Sequence, residues 1–473
     1  MTLLRESPRP KVVREHRWAP WLAVCSVCVG AFMGQLDASI VTLAYPAIER
    51  EFGAPLASVQ WVSLGYLLVL VGLLAVVGRV ADAAGRKLVY LQGFVVFTIA
   101  SAACGLAPSL SLLVVFRLVQ AAGAAMLQAN SVALVSVSVP RKRLRQGLGL
   151  QAAGQALGLA LGPTAGGLLV ASAGWRWVFW INVPVGCAAI VAGHYLLPRT
   201  RERSTVRRLD WPGLLLLATA TTALLVALSG ASGLGLPGAA ILALVGLSCV
   251  AWGGLWIRER RAQCPLIDPA LLRTPGIATG LFGALCGYLV LFGPLALMPQ
   301  ILPGGAAHAG LVLTALPVGF AIGALATDRV VPRRWGNRHR GIGGATVALA
   351  ALALLAAVPT GAGPVIVLLT SLGIGLGVFI PANNTLIMAA VPARLSGIGG
   401  GMVNMTRGIG TALGIALVTL ALHVAGKGTD GTRIAILAMA AAAVAAVVTA
   451  ASAGTGGHTA GEKVHQPHRS RRQ

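Results

Sequence analysis

The chain has 473 residues, is 56% hydrophobic and only 11% charged, and has a mean hydropathy of +0.81. Soluble domains carry about a quarter charged residues, so this composition excludes an ordinary soluble protein and a disordered chain, and its apolar runs are too long for outer-membrane strands. An all-α polytopic membrane protein remains; the net charge of +24 would by itself suggest nucleic acid, but its distribution argues for topology.

Apolar runs of about 20 residues predict fourteen transmembrane helices, over 20–44, 57–79, 88–107, 110–137, 146–172, 175–197, 211–230, 237–257, 276–302, 309–331, 341–360, 363–391, 397–424 and 432–453. The first follows a basic segment, but it is too long for a signal peptide and lacks a clear small-residue cleavage site. With the N-terminus inside, 31 of the 37 Lys and Arg fall in inward segments and four in outward ones. The positive-inside rule then predicts both termini in the cytoplasm and explains the charge with no nucleic-acid partner. The tail, with His458, His465, His468, Arg469, Arg471 and Arg472, reads as a solvated end. Six of the seven cysteines lie in apolar spans, so no disulfide framework is visible. Cys25 and Cys28 form a CxxC, but no second CxxC or His pair accompanies it, so no metal site is expected. The loops are too short to hold an enzyme active site. Such a chain is expected to move something across the bilayer.

Charges inside a membrane are costly and therefore candidates for function. Asp37 is the acidic residue set well inside a span, and Arg117 and Arg407 are the intramembrane cations. At 1.5 Å per residue, Asp37 and Arg117 each lie about 10 Å from the outer edge. They can pair if their helices are neighbours. A static ion pair is one reading; a proton site at Asp37, tuned by Arg117, is the other. Arg407 lies about 15 Å into its span, near the midplane, with no acid of the C-terminal half at that depth. Helix carbonyls, an anionic substrate group and water are its open alternatives.

Motifs follow in chain order. Span 1 reads Leu36-Asp37-Ala38-Ser39-Ile40-Val41-Thr42-Leu43-Ala44-Tyr45-Pro46. Between spans 2 and 3 stand Gly78, Asp82, Gly85, Arg86 and Lys87 in a G-x-x-x-D-x-x-G-R-K pattern, whose glycines permit a tight turn. Span 4 carries Arg117-x-x-Gln120-Ala121-x-Gly123. Span 5 carries Gly154, Gly158, Gly162, Pro163, Gly166 and Gly167; small residues allow close helix contact, and Pro163 frees a backbone carbonyl. Trp175, Trp177 and Trp180 sit at an outer boundary, where aromatic belts form.

These motifs resemble the major facilitator superfamily, and within it the fourteen-helix drug:proton antiporter family. The 78–87 loop looks like the superfamily's signature loop, and Arg117-x-x-Gln120 like its span-4 motif, with Ala121 in place of a glycine. The Gly158–Gly167 stretch is similar to the antiporter motif of drug-efflux members, which uptake members generally lack. The Asp37 segment is similar to that family's L-D-x-T-I-V-N-V-A-L-P signature, with Thr42 where Asn and Tyr45 where Leu is usual. Trp175–Pro184, Asp210-Trp211-Pro212-Gly213 and Pro265-Leu266-Ile267-Asp268 fit as well. Thr327-Asp328-Arg329 is a faint echo of the Asp82 loop.

The resemblance implies a cytoplasmic segment 1–19, an N-terminal six-helix bundle 20–197, linkers with two extra transmembrane helices 198–275, a C-terminal six-helix bundle 276–453 and a cytoplasmic tail 454–473. It implies alternating access in the plasma membrane, with a proton moving inward through Asp37 and Arg117 as substrate moves outward. Asp82 and Arg86 would form a cytoplasmic latch with the start of span 13. No cofactor is implied; the proton gradient drives the cycle. Polar or aromatic groups on apolar spans are pocket candidates: Trp61, Tyr66, Gln128, Asn130, Gln155, Gln300, Asn384, Asn404, Met405 and Arg407. Each can equally be interhelical packing glue. One intramembrane Asp against two Arg favours neutral, monocationic or anionic amphipathic substrates over dications. The expected partners are such a small molecule, protons and lipid, with the protein working as a monomer. A proton-coupled nutrient symporter is the first rival, and a non-transporting membrane sensor or assembly protein the second.

Overall fold

The computed structural model describes residues 9–140, 143–199, 210–262, 269–274, 276–330, 335–357, 362–391, 396–426 and 428–452. Among them there are helices and no strands, and fourteen helices are long and apolar enough to cross a membrane. We number them α1 (Ala19–Ile40), α2 (Trp61–Ala84), α3 (Arg86–Gly105), α4 (Leu110–Ser138), α5 (Leu144–Ser172), α6 (Asn182–Leu196), α7 (Trp211–Ser229), α8 (Gly238–Arg261), α9 (Ile277–Ile301), α10 (Gly305–Val330), α11 (Asn337–Ala357), α12 (Ala362–Ala390), α13 (Ser396–Ala425) and α14 (Thr429–Ser452). Each answers to one predicted span. The chain's first and last spans begin and end on one face, called here the termini face; the other is the distal face.

Two local departures shape the distal side of the site. The first span does not stop at 44: a 3-10 turn, Val41–Ala44, leads into a further helix, Tyr45–Phe52, with Pro46 in its first turn. Proline is tolerated there because no intrahelical partner awaits its missing N–H. The predicted span 175–197 is broken into a short helix, Trp177–Trp180, and α6, which starts at Asn182.

Helices α1 to α6 pack on one another, chiefly α1 with α5, α4 with α3 and α2, and α6 with α3; α9 to α14 pack likewise, α12 with α10 and α11, and α9 with α13 and α14. The extra pair α7–α8 packs on itself and touches both groups through α2 and α13. Gln60, just before α2, donates to Ser229 Oγ at 3.0 Å and ties α7 to the first group.

Glycines set how close the helices come. A Cβ at Gly158 would strike the Phe32 carbonyl oxygen, and one at Gly162 the Ser39 hydroxyl, so this stripe of α5 lies directly on α1. Gly167 faces the other way. Its Cβ would meet the Ala306 carbonyl of α10, and a Cβ at Gly310 would meet that of Pro163. The Thr164 and Thr314 hydroxyls touch across the same seam. The stretch 158–167 thus packs inside one bundle and against the other.

These cross-bundle contacts lie toward the distal face. On the termini side, a Cβ at Gly72, Gly78, Gly400 or Gly401 would meet nothing within 4 Å. The space between the two bundles on this side, where α2 packs on α13 and a Cβ at Gly408 would meet Val71, is called here the cleft.

Candidate functional site

The charged centre draws on five helices, α1, α2, α3, α4 and α6. Asp37, near the end of α1, and Arg117, on α4, are both buried, and Arg117 Nη1 donates to Asp37 Oδ2 at 2.7 Å. Asp37 Oδ1 accepts from Gln120 Nε2 at 3.0 Å and from Asn182 Nδ2 at 3.1 Å. Gln120 lies one turn after Arg117 and so shares its face. Asn182 arrives from α6, whose first residue it is.

The guanidinium is held as fully. Nε donates to the Val62 carbonyl at 2.9 Å, and Nη1 also reaches Gln120 Oε1 at 2.6 Å. Its carbon lies 4.1 Å from the Tyr66 ring centre and 5.6 Å from that of Phe179, a cation–π arrangement. Gln120 Nε2 continues to Ser101 Oγ at 2.7 Å, which donates to the Phe97 carbonyl at 2.7 Å. The expected proximity of Asp37 and Arg117 is therefore present. Gln120, Asn182 and Ser101 complete the network.

Of the pocket candidates, the structure brings Gln128 and Arg407 together: Arg407 Nη2 donates to Gln128 Oε1 at 2.5 Å, across the cleft from α13 to α4. Asn404 is half-buried one turn before Arg407. Tyr66 belongs to the charged centre; its ring lies under Arg117 and its buried hydroxyl has no partner. Asn130 bonds back to its own helix, at Met126 O. Trp61, Gln155 and Gln300 are half-buried on α2, α5 and α9, and Asn384 Oδ1 on α12 is buried and unpaired. Met405 packs with Val71, Leu217 and Leu255, at the junction with α7 and α8 rather than beside Gln128.

The loop motif is described in part. Gly85 has φ +117° and turns the chain from α2 into α3, a conformation that side chains oppose. Gly78 lies about two helix turns earlier, half-buried on α2. Lys87 is buried and donates to the His194 carbonyl at 2.7 Å, capping the end of α6 within its own bundle. Arg86 is half-buried at the start of α3. The side chains of Asp82, Asp328 and residues 396–398 lie outside the described set, as do Pro265–Asp268 and the tail histidines.

Trp175 departs from the belt expectation. It is buried, stacks edge-on with Phe52 and Phe179, and donates from Nε1 to Glu51 Oε2 at 2.6 Å. Arg176 pairs with the other Glu51 oxygen at 2.6 Å. Trp177 is exposed, as a belt residue should be, while Trp180 packs on Gly105. Among the described residues, no group of three His, Cys, Asp or Glu is placed to hold a metal ion.

Residues 27–415 match the family model of the Major Facilitator Superfamily. The tetracenomycin C resistance and export protein of Streptomyces glaucescens is 32% identical over 408 residues, covering 85% of this chain and 76% of that protein. A riboflavin transporter of Clostridioides difficile is 30% identical, covering 84% and 87%. A bacterial homologue of the human lysosomal transporter Spinster, in an inward-facing and occupied conformation, shares the fold with a TM-score of 0.61 at 15% identity, over 93% of this chain and 97% of that one. With fourteen apolar helices in two packed groups and a matching family model across most of its length, the chain belongs to the major facilitator superfamily of membrane transporters and is not an enzyme.

Proposed function

We propose that the protein is a proton-coupled antiporter that exports an amphipathic drug, antibiotic or other secondary metabolite by alternating access. It would sit in the plasma membrane as a monomer with both termini in the cytoplasm, powered by the proton gradient and without a cofactor. One observation carries the reading: a carboxylate set deep in α1, held by Arg117, Gln120 and Asn182. Protonating Asp37 from the distal side removes its charge and weakens the tie between α1 and α4. The other partners of Arg117, the Val62 carbonyl, Gln120 Oε1 and the Tyr66 ring, keep it in place. One proton falling through 100 mV supplies about 2.3 kcal/mol. The Gly158–Gly167 seam, packed on α1 and on α10 together, supports export by joining the helix of Asp37 to the opposite bundle.

The test is proton movement in everted vesicles on adding a panel of lipophilic antibiotics, with wild type and Asp37→Asn. Substrate-induced proton movement that the mutant loses supports antiport through Asp37. Movement that survives shifts the proton site elsewhere. No movement with any compound favours the rivals, a nutrient symporter or a non-transporting sensor, and the riboflavin transporter among the relatives keeps the first of these in view.

A further inference from the structure

Two arginines lie deep in the described spans, and only one of them is neutralised. Arg117 has Asp37 at 2.7 Å. Arg407 has the neutral Gln128 oxygen, and no carboxylate of the described residues forms an ion pair with it. A guanidinium inside a membrane is costly and faces the bundle interior or a water-filled cavity. Its planar fork of five N–H donors matches a carboxylate, whereas Gln128 offers one oxygen. Asn404 shares the Arg407 face one turn away. The Tyr66 hydroxyl, on the ring that lies under Arg117, is buried and unpartnered. Asp37, Arg117 and Arg407 together leave the cleft with one surplus positive charge.

We infer that the cleft takes an amphipathic anion: a lipophilic carboxylic acid whose carboxylate seats on Arg407 and displaces Gln128 Oε1, with Asn404 and Tyr66 as neutral donors and the apolar cleft walls receiving the tail. Gln128 is then a placeholder that satisfies Arg407 while the site is empty. A bound monoanion brings the charge of the cleft to zero, while a cationic compound of the same shape meets uncompensated repulsion. This assignment rests on the proposed function in one respect, that the cleft is the substrate's path; it does not need proton coupling.

The experiment compares three probes that share one hydrocarbon body: 1-pyrenebutanoate, its methyl ester and 1-pyrenebutyltrimethylammonium. Binding to the detergent-purified protein is read by fluorescence anisotropy at low salt, with no gradient present. Wild type should bind the acid at least tenfold more tightly than the ester, and the ammonium most weakly. Arg407→Gln should bring acid and ester within threefold of each other. Arg407→Lys should retain an intermediate preference, which separates a lost charge from a lost fold. Because this assay has no gradient, a failure of proton coupling in vesicles and a failure of anion selection are read apart. Acid and ester binding alike to wild type, a preference for the ammonium, no saturable binding of the acid, or an acid preference that survives Arg407→Gln would each overturn the assignment.

Discussion

Replacing Asp37 by asparagine tests whether the charged centre is as tightly specified as its geometry implies. The carboxylate accepts three hydrogen bonds, from Arg117 on one oxygen and from Gln120 and Asn182 on the other. An asparagine supplies one acceptor and one donor. With its oxygen toward Arg117, its NH2 faces two other donors. Turned over, it sets NH2 against the guanidinium. Gln120 cannot flip to compensate, because its Oε1 receives Arg117 and its Nε2 serves Ser101. At least one donor therefore loses its partner, and Arg117, only 1% exposed, loses its counter-charge. Removing one member of a buried pair costs about 3–5 kcal/mol. Equilibrium unfolding in mixed detergent micelles should show a loss of that size. Asp37→Asn combined with Arg117→Gln should be less destabilised than the two single losses added, since the uncompensated charge is gone. A single mutant within about 0.5 kcal/mol of wild type, roughly the scatter expected of independent sites, would refute this account of the network.

Three other outcomes follow from the packing. Gly158→Ala sets a methyl on the Phe32 carbonyl, where no rotamer can yield, and should cost about 1–3 kcal/mol; Gly72→Ala, with open space, should be neutral or gain up to about 1 kcal/mol. Survival after heating, read by size exclusion, separates the two, and equal behaviour would discredit the seam. Thr164→Cys with Thr314→Cys, in a background free of other cysteines, should form a disulfide that halts transport until it is reduced; a cross-linked protein that still transports would show that this seam need not open. Lys87→Met removes the cap on the His194 carbonyl and should lower stability by about 1–3 kcal/mol, with Lys87→Arg milder in a thermal-shift assay; an unchanged melting temperature would show the cap to be dispensable.

The fourteen spans were legible because each is a long apolar run, a property of composition that tertiary packing does not alter. Their ends were less so. The first span was expected to end at 44, yet Pro46 stands in the first turn of a second helix, since a proline is as compatible with a first turn as with a terminus. Asp37 and Arg117 were legible as a pair from depth alone. Gln120 was within reach through its three-residue offset from Arg117. Asn182 was not, because its approach depends on how α6 packs beside α1, far along the chain, which no periodicity marks. Trp175 misled for a related reason: a tryptophan at a span end looks like a belt residue until its acceptor, Glu51, four helices earlier in the chain, is brought beside it. The packing of Met405 on Leu217 and Leu255 was not legible, because the position of the α7–α8 pair against α13 cannot be read from sequence.

Helix α4 joins the two sites. Arg117 and Gln128 are eleven residues apart, just over three whole turns and about 16 Å of rise, so they project from nearly the same face. At one end this face holds Asp37, and at the other it holds Arg407 of the opposite bundle. Between them stand Ala121, Gly123, Ala124 and Ala125, all buried. A Cβ at Gly123 would fall on the backbone of α3 at Phe97, so α4 lies directly on α3 there, and the proposed cycle has it move as a rod. In the proposed cycle, a proton on Asp37 loosens one end of that rod, and a substrate carboxylate on Arg407 releases the other by displacing Gln128. Both events act on one rigid element, which lets each ligand bias the same two-state equilibrium from a different end. A flexible substitution in the middle of the rod, Ala124→Gly, should therefore leave binding of the acidic probe intact while weakening the proton movement it elicits. Equal loss of both would mean that the two ends are not linked through α4.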